Sequence, residues 1–340
     1  MPIGLNSAAA RHIEAAERPP GAWLGRVSRV DRTVIRVLDQ EAGERVHPRP
    51  REISLLVGDW VWISSHPRSG DSVHLVPRYS VLTRSRASGE SHRLAANIDL
   101  ALLVITAGEA CRPSLIERLA LTGWECGALP HFVVTKIDKA DATTRSTVMS
   151  VISECAPGIN ATRCSSVTGE GIEEVRGIVQ EYSSTVLLGH SGVGKSSLAN
   201  RLLGRDALVT AGVRERDGKG RHTTTARTIT PLPGSSSVIL DTPGIREFGL
   251  SLHAVLEDVF VEIEDYAARC AFADCSHTHD SGCAVRDAVD SLAISEERYL
   301  RFLKLARQRQ YEQRRLGPST RDKSTEYARL ARKYRQARGR

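Results

Sequence analysis

Residues 189–196 read Gly-His-Ser-Gly-Val-Gly-Lys-Ser, the G-x-x-x-x-G-K-[ST] spacing of a phosphate-binding loop. Glycines permit a tight turn whose backbone N–H groups converge on phosphate oxygens. The helix that follows presents its positive end to the same anion. In that arrangement Lys195 reaches the β- and γ-phosphates of a nucleotide, and the Ser196 hydroxyl sits on Mg²⁺. Gly189, His190, Ser191, Gly192, Val193, Gly194 and Ser197 complete the expected cradle. The flanks agree: apolar Val186-Leu187-Leu188 reads as the strand that leads in, and 197–202 as the helix that leads out.

Asp241-Thr242-Pro243-Gly244 closes the strand-like Val238-Ile239-Leu240. An acidic residue at such a strand end holds Mg²⁺, so Ser196 and Asp241 form the expected magnesium pair. Gly244 lets a backbone N–H face the γ-phosphate. Between the two motifs lies Arg221-His222-Thr223-Thr224-Thr225. Thr223 or Thr224 is expected to close onto Mg²⁺ and the γ-phosphate and to let go after hydrolysis; His222 is a candidate for orienting water or contacting RNA. Ile245, Arg246 and Glu247 follow Gly244, so nothing matches the glutamine that orients water in Ras-like enzymes. Slow intrinsic turnover, raised by a partner, is expected.

Base choice points to guanine. Thr135-Lys136-Ile137-Asp138 follows an apolar strand and resembles the NKxD motif with Thr in place of Asn. The Asp138 carboxylate can accept from guanine N1–H and N2–H₂, a donor pair that adenine lacks, and the Lys136 stem can lie along the base. Ser165-Ser166-Val167 resembles the last guanine-binding loop, with a backbone N–H toward O6. The order of these elements is rotated. The base-reading pair, 135–138 and 165–167, precedes the phosphate-reading trio, 189–196, 223–225 and 241–244. Such a rearrangement keeps the same sheet when the old termini lie close together.

A second kind of chemistry sits further on. Cys270-x4-Cys275-x-His277-x5-Cys283 offers three thiolates and one imidazole, a set that suits structural, tetrahedral Zn²⁺ with no open position. His279 is an alternative to His277 as the fourth ligand. Seven cysteines scattered through a long chain do not read as a disulfide framework.

The elements that must position these groups fall into a multidomain pattern. Residues 1–20 read as a flexible leader. Residues 21–90 carry short strands punctuated by turns, which fits an N-terminal β-barrel of the OB type; Trp60 and Trp62 there are candidates for stacking on bases or for a core. Residues 91–250 alternate strand and helix, as a doubly wound α/β P-loop domain does. Residues 251–315 read as a helical, zinc-binding module and 316–340 as a basic tail. The formal charge is +7, yet 301–340 alone holds 14 basic against 3 acidic residues, which leaves the rest negative. A basic segment of this kind suggests a polyanionic partner. The chain has neither a run of ~20 apolar residues for a membrane span nor a secretory leader. A cytoplasmic location, no membrane partner and a monomer are expected.

Together GHSGVGKSSL, GRHTTT, DTPGIREFG, the rotated order, the Cys/His spacing, VGDWV and PRYSVLTR resemble the RsgA (YjeQ) family of bacterial, circularly permuted GTPases. The resemblance spans about residues 20–310, with Thr135 and the His-Thr-His-Asp-Ser-Gly stretch before Cys283 as departures. It implies binding to the small (30S) ribosomal subunit and its rRNA late in maturation, hydrolysis of GTP stimulated by that subunit, release on hydrolysis, and other ribosome-assembly factors as candidate partners. Two alternatives stand beside it: a permuted GTPase acting on the large subunit or another RNA, and a non-catalytic RNA-binding protein with a vestigial nucleotide site.

Overall fold

The computed structural model describes residues 3–66, 70–85, 91–109, 112–204, 228–241, 256 and 259–315. Strands β1 (Trp23–Val30), β2 (Val34–Asp39), β3 (Gly43–Pro48), β4 (Trp60–His66) and β5 (Gly70–Leu75) form an antiparallel sheet in the order β3-β2-β1-β4-β5. Val27, Ile35, Val37, Val61 and Ile63 alternate along the strands onto one face and bury against one another. The sheet curls until its two outer strands face each other, where His47 Nδ1 meets Asp71 Oδ2 at 2.6 Å. Trp60 and Trp62 are both buried among core residues. Arg26 lies 4.7 Å over the first ring and Arg18 5.2 Å over the second. Their role is therefore packing; neither face is open for a base.

The leader departs from expectation. Ser7–Glu14 form helix α1, and Ile3, Ala9 and Ile13 are buried. Ala9 and Ile13 lie four apart and so share a helix face. Arg26 Nη1 donates to Ile3 O and His12 Nε2 meets Pro77 O at 2.7 Å, which ties the segment to the sheet.

A hairpin follows the barrel: β6 (Val81–Ser85) pairs antiparallel with β7 (Ser91–Ala96), and Val57 bridges to Ala95. Gly58 sits at φ 93°, and a Cβ there would lie 2.1 Å from Ala96 O, so only glycine admits this approach. Next to it Asp59, fully buried, accepts from Arg78 Nε at 2.6 Å, from Arg78 Nη2 at 2.7 Å and from Leu56 N at 2.6 Å. Arg78 also donates to Ser54 O. This forked pair is the physical content of VGDWV and PRYSVLTR.

The central sheet contains β8 (Leu100–Thr106), β9 (Leu129–Thr135), β10 (Ala161–Arg163), β11 (Ser184–Leu188), β12 (Thr228–Pro231) and β13 (Val238–Asp241), in the order β10-β9-β8-β11-β13-β12. All neighbours run parallel except the pair β12 and β13. Helices cover both faces: α2 (Pro113–Glu125) and α3 (Ala142–Cys155), and α4 (Ile172–Gln180) and α5 (Lys195–Leu203). The split follows from strand alternation. Ala101, Leu103 and Ile105 of β8 pack with Ile116, Leu119, Val148 and Ile152, while Leu100, Leu102 and Val104 pack with Val175, Val179, Leu198 and Leu202.

The C-terminal part holds α6 (Val261–Ala267), α7 (Ala284–Asp290) and α8 (Glu296–Arg315) around Phe260, Ile263, Val285 and Phe302. It is fastened to the α/β layers by a buried charge. Glu117 of α2 has no exposed surface, and its Oε1 accepts from Arg298 Nη1 at 2.7 Å and Arg301 Nε at 2.8 Å. Arg298 also donates to Glu262, Cys155 O and Val259 O. None of the helices among the described residues is long and apolar enough to cross a membrane.

Removing the guanidinium from the Asp59 pair leaves a carboxylate buried without its counter-charge. Arg78→Leu is expected to cost about 3–5 kcal/mol in urea unfolding at neutral pH. Burial pushes the Asp59 carboxyl above the ordinary carboxylate range, with Arg78 and the Leu56 N–H pulling against that push. In the variant the folded-state value rises further above the unfolded one. The deficit should therefore shrink as pH falls through that raised value toward the ordinary carboxylate range. A deficit that stayed constant from neutral to mildly acidic pH would contradict the account.

Candidate functional site

The two expected loops leave the carboxyl ends of parallel strands, one after β9 and one after β11, with β8 between them. Both therefore open onto the same edge of the sheet, where α/β proteins bind ligands. They touch. The Thr135 hydroxyl donates to Val193 O at 2.5 Å and is shared with Ile105 O at 3.1 Å. Lys136 Nζ donates to Gly192 O at 2.7 Å. Thr135 thus joins β9, β8 and the phosphate-binding loop with a single side-chain proton, the bracing that an asparagine amide would give at that position.

Past Thr135 the chain turns sharply. Lys136 adopts the left-handed conformation, φ 57°, and Ile137–Lys139 form a short 3-10 turn. That turn presents Asp138 toward the third loop, where Ser165 Oγ donates to Asp138 Oδ1 at 2.6 Å. The hydroxyl bond holds the Asp138 carboxyl below the usual carboxylate range, so it is an ionised acceptor at neutral pH. Ser165 Oγ in turn accepts from Val167 N and Thr168 N, each at 3.2 Å. Arg201 of α5 donates to Ser166 O at 2.7 Å and Val167 O at 3.2 Å. This clamp between the phosphate-loop helix and the 165–167 loop escapes sequence reasoning, because a helix-surface arginine carries no local signal.

The phosphate-binding loop has the backbone its glycines permit. Gly189 (φ 151°), Gly192 (φ 84°) and Gly194 (φ 101°) all lie at positive φ. A Cβ on Gly189 would stand 2.2 Å from Val104 O, so the loop can lie against β8 only with glycine there. Gly194 caps α5, which begins at Lys195. Lys195 Nζ donates to Gly189 O at 2.7 Å and His190 O at 2.6 Å, which folds the ammonium over the loop that it would share with a phosphate. The backbone of Asp241 ends β13, beside β11 in parallel register (Val186 opposite Leu240). His222, Thr223, Thr224 and Gly244, and the tail 316–340, lie outside the described residues.

The four expected metal ligands converge. The donor atoms of Cys270, Cys275, His277 and Cys283 all lie within 4.8 Å of one another. His277 Nδ1 is 3.6 Å from the sulfurs of Cys270 and Cys283, and those sulfurs are 4.0 Å apart. A tetrahedron with metal–sulfur bonds of about 2.3 Å has edges of about 3.6–3.8 Å, so the donor set fits such an ion. His277 belongs to the cluster, and His279 is exposed outside it. Burial lowers the His277 imidazole below its ordinary value, which favours the neutral, ligating form. The Tyr299 hydroxyl of α8 donates to His277 O at 2.5 Å. Asp280 accepts from Ser276 N at 2.9 Å and lies 3.7 Å from Cys275 Sγ. Among the described residues away from this cluster, Cys126, Cys155 and Cys164 are buried, and the Cys126 thiol donates to Gly123 O at 3.0 Å. Burial pushes Cys155 up to about 11 and Cys164 up to about 12, so both stay protonated.

A family model described as RsgA GTPase matches residues 75–251. Among curated relatives, the small ribosomal subunit biogenesis GTPase RsgA of Streptomyces avermitilis is 39% identical over 302 residues, covering 85% of this chain and 80% of its own length. RsgA 2 of Lactiplantibacillus plantarum is 38% identical over 258 residues, covering 75% of this chain and 72% of its own length. The crystal structure of YjeQ from Thermotoga maritima superposes with a TM-score of 0.62 at 24% identity, over 84% of this chain and 97% of that one. A structure of YloQ, described as a circularly permuted GTPase, gives 0.60 at 20% identity, over 89% and 99%. These two structures share the fold.

The bracing by Thr135 can be measured. Thr135→Val keeps the shape but strands two buried carbonyls, and is expected to lower the stability of the full chain to urea by about 1–3 kcal/mol. Thr135→Ser, which retains the hydroxyl, should recover most of that loss; a Thr135→Val variant as stable as the wild type would show that the hydroxyl braces nothing.

Proposed function

The chain belongs to the RsgA GTPase family, a family of GTP-hydrolysing enzymes, and from that membership we propose that it is a switch that binds the small ribosomal subunit late in maturation, hydrolyses GTP under stimulation by the subunit, and leaves on hydrolysis. The observation that carries the reading is the contact between the base-reading and phosphate-binding loops, with Thr135 on Val193 O and Lys136 on Gly192 O. That contact allows one guanosine nucleotide to be held at both ends. The printed names of the curated relatives support the partner. The same reading places the protein in the cytoplasm, with rRNA of the subunit as the polyanion that the basic tail would meet.

The roles in this reading join the described geometry to the motifs of the sequence. Asp138, ionised and aimed by Ser165, accepts from the two guanine N–H donors. Lys136, fixed by Gly192 O, lays its stem along the base. The amides of 190–195 and the amino end of α5 hold the β-phosphate. Lys195 exchanges its two loop carbonyls for phosphate oxygens, so the ammonium is never without acceptors. Ser196 and Asp241 would hold Mg²⁺, which neutralises charge between the β- and γ-phosphates. Thr223 or Thr224 and Gly244 would complete the γ-phosphate contacts, and His222 remains the candidate for water. The chain lacks a glutamine beside Gly244, which favours a turnover completed by the partner. Cys270, Cys275, His277 and Cys283 would hold one structural zinc per chain. With all four positions filled by protein, that ion has no place for substrate.

Co-sedimentation with separated subunits tests the reading. The wild-type chain should travel with the small subunit when loaded with a non-hydrolysable GTP analogue and much less with GDP. Asp138→Asn turns one acceptor into a donor. It should lower guanosine-nucleotide affinity by about a hundredfold and transfer nucleotide-dependent sedimentation to the xanthosine analogue. Retention on large subunits, or binding indifferent to nucleotide, would reject the proposal.

Metal removal gives a separate readout. Stripping with a strong chelator should lower the melting temperature by at least about 5 °C, with recovery on adding Zn²⁺, and Cys283→Ser should carry less than one zinc per chain. A melting curve unmoved by chelation would exclude a structural ion.

A further inference from the structure

Between α2 and α8 lies a cleft of about 420 Å³, and its lining includes His190 of the phosphate-binding loop. Cations come from both walls: Arg112 and Arg118 from the start of α2, and Arg301 and Lys304 from α8. The acidic groups in the lining are held by neighbours through one oxygen each, and Glu117 Oε2 is buried without a partner. The Glu109 carboxylate accepts from Thr106 N and Thr106 Oγ1, and Glu117 Oε1 is shared by Arg298 and Arg301. Arg112 and Lys304 are exposed and have no ion-pair partner among the described residues. The Arg118 Nε is buried without a hydrogen-bond acceptor. A guanidinium nitrogen held dry without an acceptor is destabilising, and other atoms of Arg118 line the cleft.

We propose that this cleft is a phosphate site for the backbone of the bound RNA, gripped between Arg112 and Arg118 on one wall and Lys304 on the other. The proposal rests on the reading that the partner is the small subunit. The occupant is a nucleic-acid phosphate because the lining has cations on facing walls and holds no Phe, Tyr or Trp ring on which a base would stack; its apolar part is the side chains of Leu115 and Leu305. Cations that track a backbone without reading bases belong to sequence-independent RNA contact. A phosphate here would span α2 and α8 and stand beside His190. RNA would thus bridge the α/β layers and the C-terminal helices at the rim of the nucleotide site.

The test is the salt dependence of small-subunit binding by the full, zinc-loaded chain with a non-hydrolysable GTP analogue. In the pair Arg112→Gln and Lys304→Gln, two phosphate contacts are lost. Over a roughly fourfold rise in salt the wild type should lose roughly tenfold more affinity than the variant. GTP-analogue affinity and melting temperature should be unchanged, because neither residue belongs to the nucleotide site. The charge-keeping pair Arg112→Lys and Lys304→Arg should retain the wild-type slope. Wild-type binding with equal slopes in the Gln pair and the wild type overturns the cleft as a phosphate site and leaves the partner intact. A flattened slope in the charge-keeping pair also overturns it. A wild type that does not bind small subunits at all rejects the partner, and the cleft assignment with it.

Discussion

Everything in the α/β domain turns on one crossing: the loop after β9 and the loop after β11 reach over the end of β8 and join through the Thr135 hydroxyl. Parallel strands make the crossing unavoidable, because both loops then leave from the same edge. The rotated order of the motifs is irrelevant to that fact. A sheet records which strand lies beside which, and β8 separates β9 from β11 whatever the sequence positions of the chain ends. Around the crossing the structure is braced twice more, by Lys136 on Gly192 O and by Arg201 on the 165–167 loop. The described loops of the proposed nucleotide site are thus cross-braced by side-chain hydrogen bonds.

The sequence was most legible where chemistry constrains both residue type and spacing. The phosphate-binding loop, the Thr-Lys-Ile-Asp turn and the Cys/His set each need particular atoms a fixed number of residues apart, and each is found assembled. Strand and helix alternation was equally plain, because buried runs such as 100–106 have no polar residue before their last position. What escaped was long-range and singular. Arg298 and Glu117 are 181 positions apart, and each looks locally like an ordinary helix-surface charge. Asp59 and Arg78 sit in recognisable motifs, yet nothing short of the fold shows that the motifs exist to pair with each other. The leader helix was missed because its apolar residues are mostly alanines, and they bury only against surfaces built by later residues.

Two kinds of attachment hold the parts together, and they differ in physical character. The barrel meets the central sheet through apolar packing around Trp60, Trp62 and Ile98, with Arg26 threading its guanidinium to Ile3 O, Gly58 O and Asn97 O. The C-terminal helices meet it through apolar packing and a buried carboxylate shared by two arginines. A buried ion pair is costly to separate, because removing one partner strands the other charge away from water, and the bonds from Arg298 to Glu117, Glu262, Cys155 O and Val259 O fix its direction as well. The second attachment therefore resists turning as well as removal.

That property acquires reach from the length of α8. At 1.5 Å per residue, the helix extends about 25 Å beyond its anchor at Arg298 before it ends at Arg315. The Glu117 pair thus fixes the first turns of α8 against the α/β layers, and the heading of the whole helix is set there.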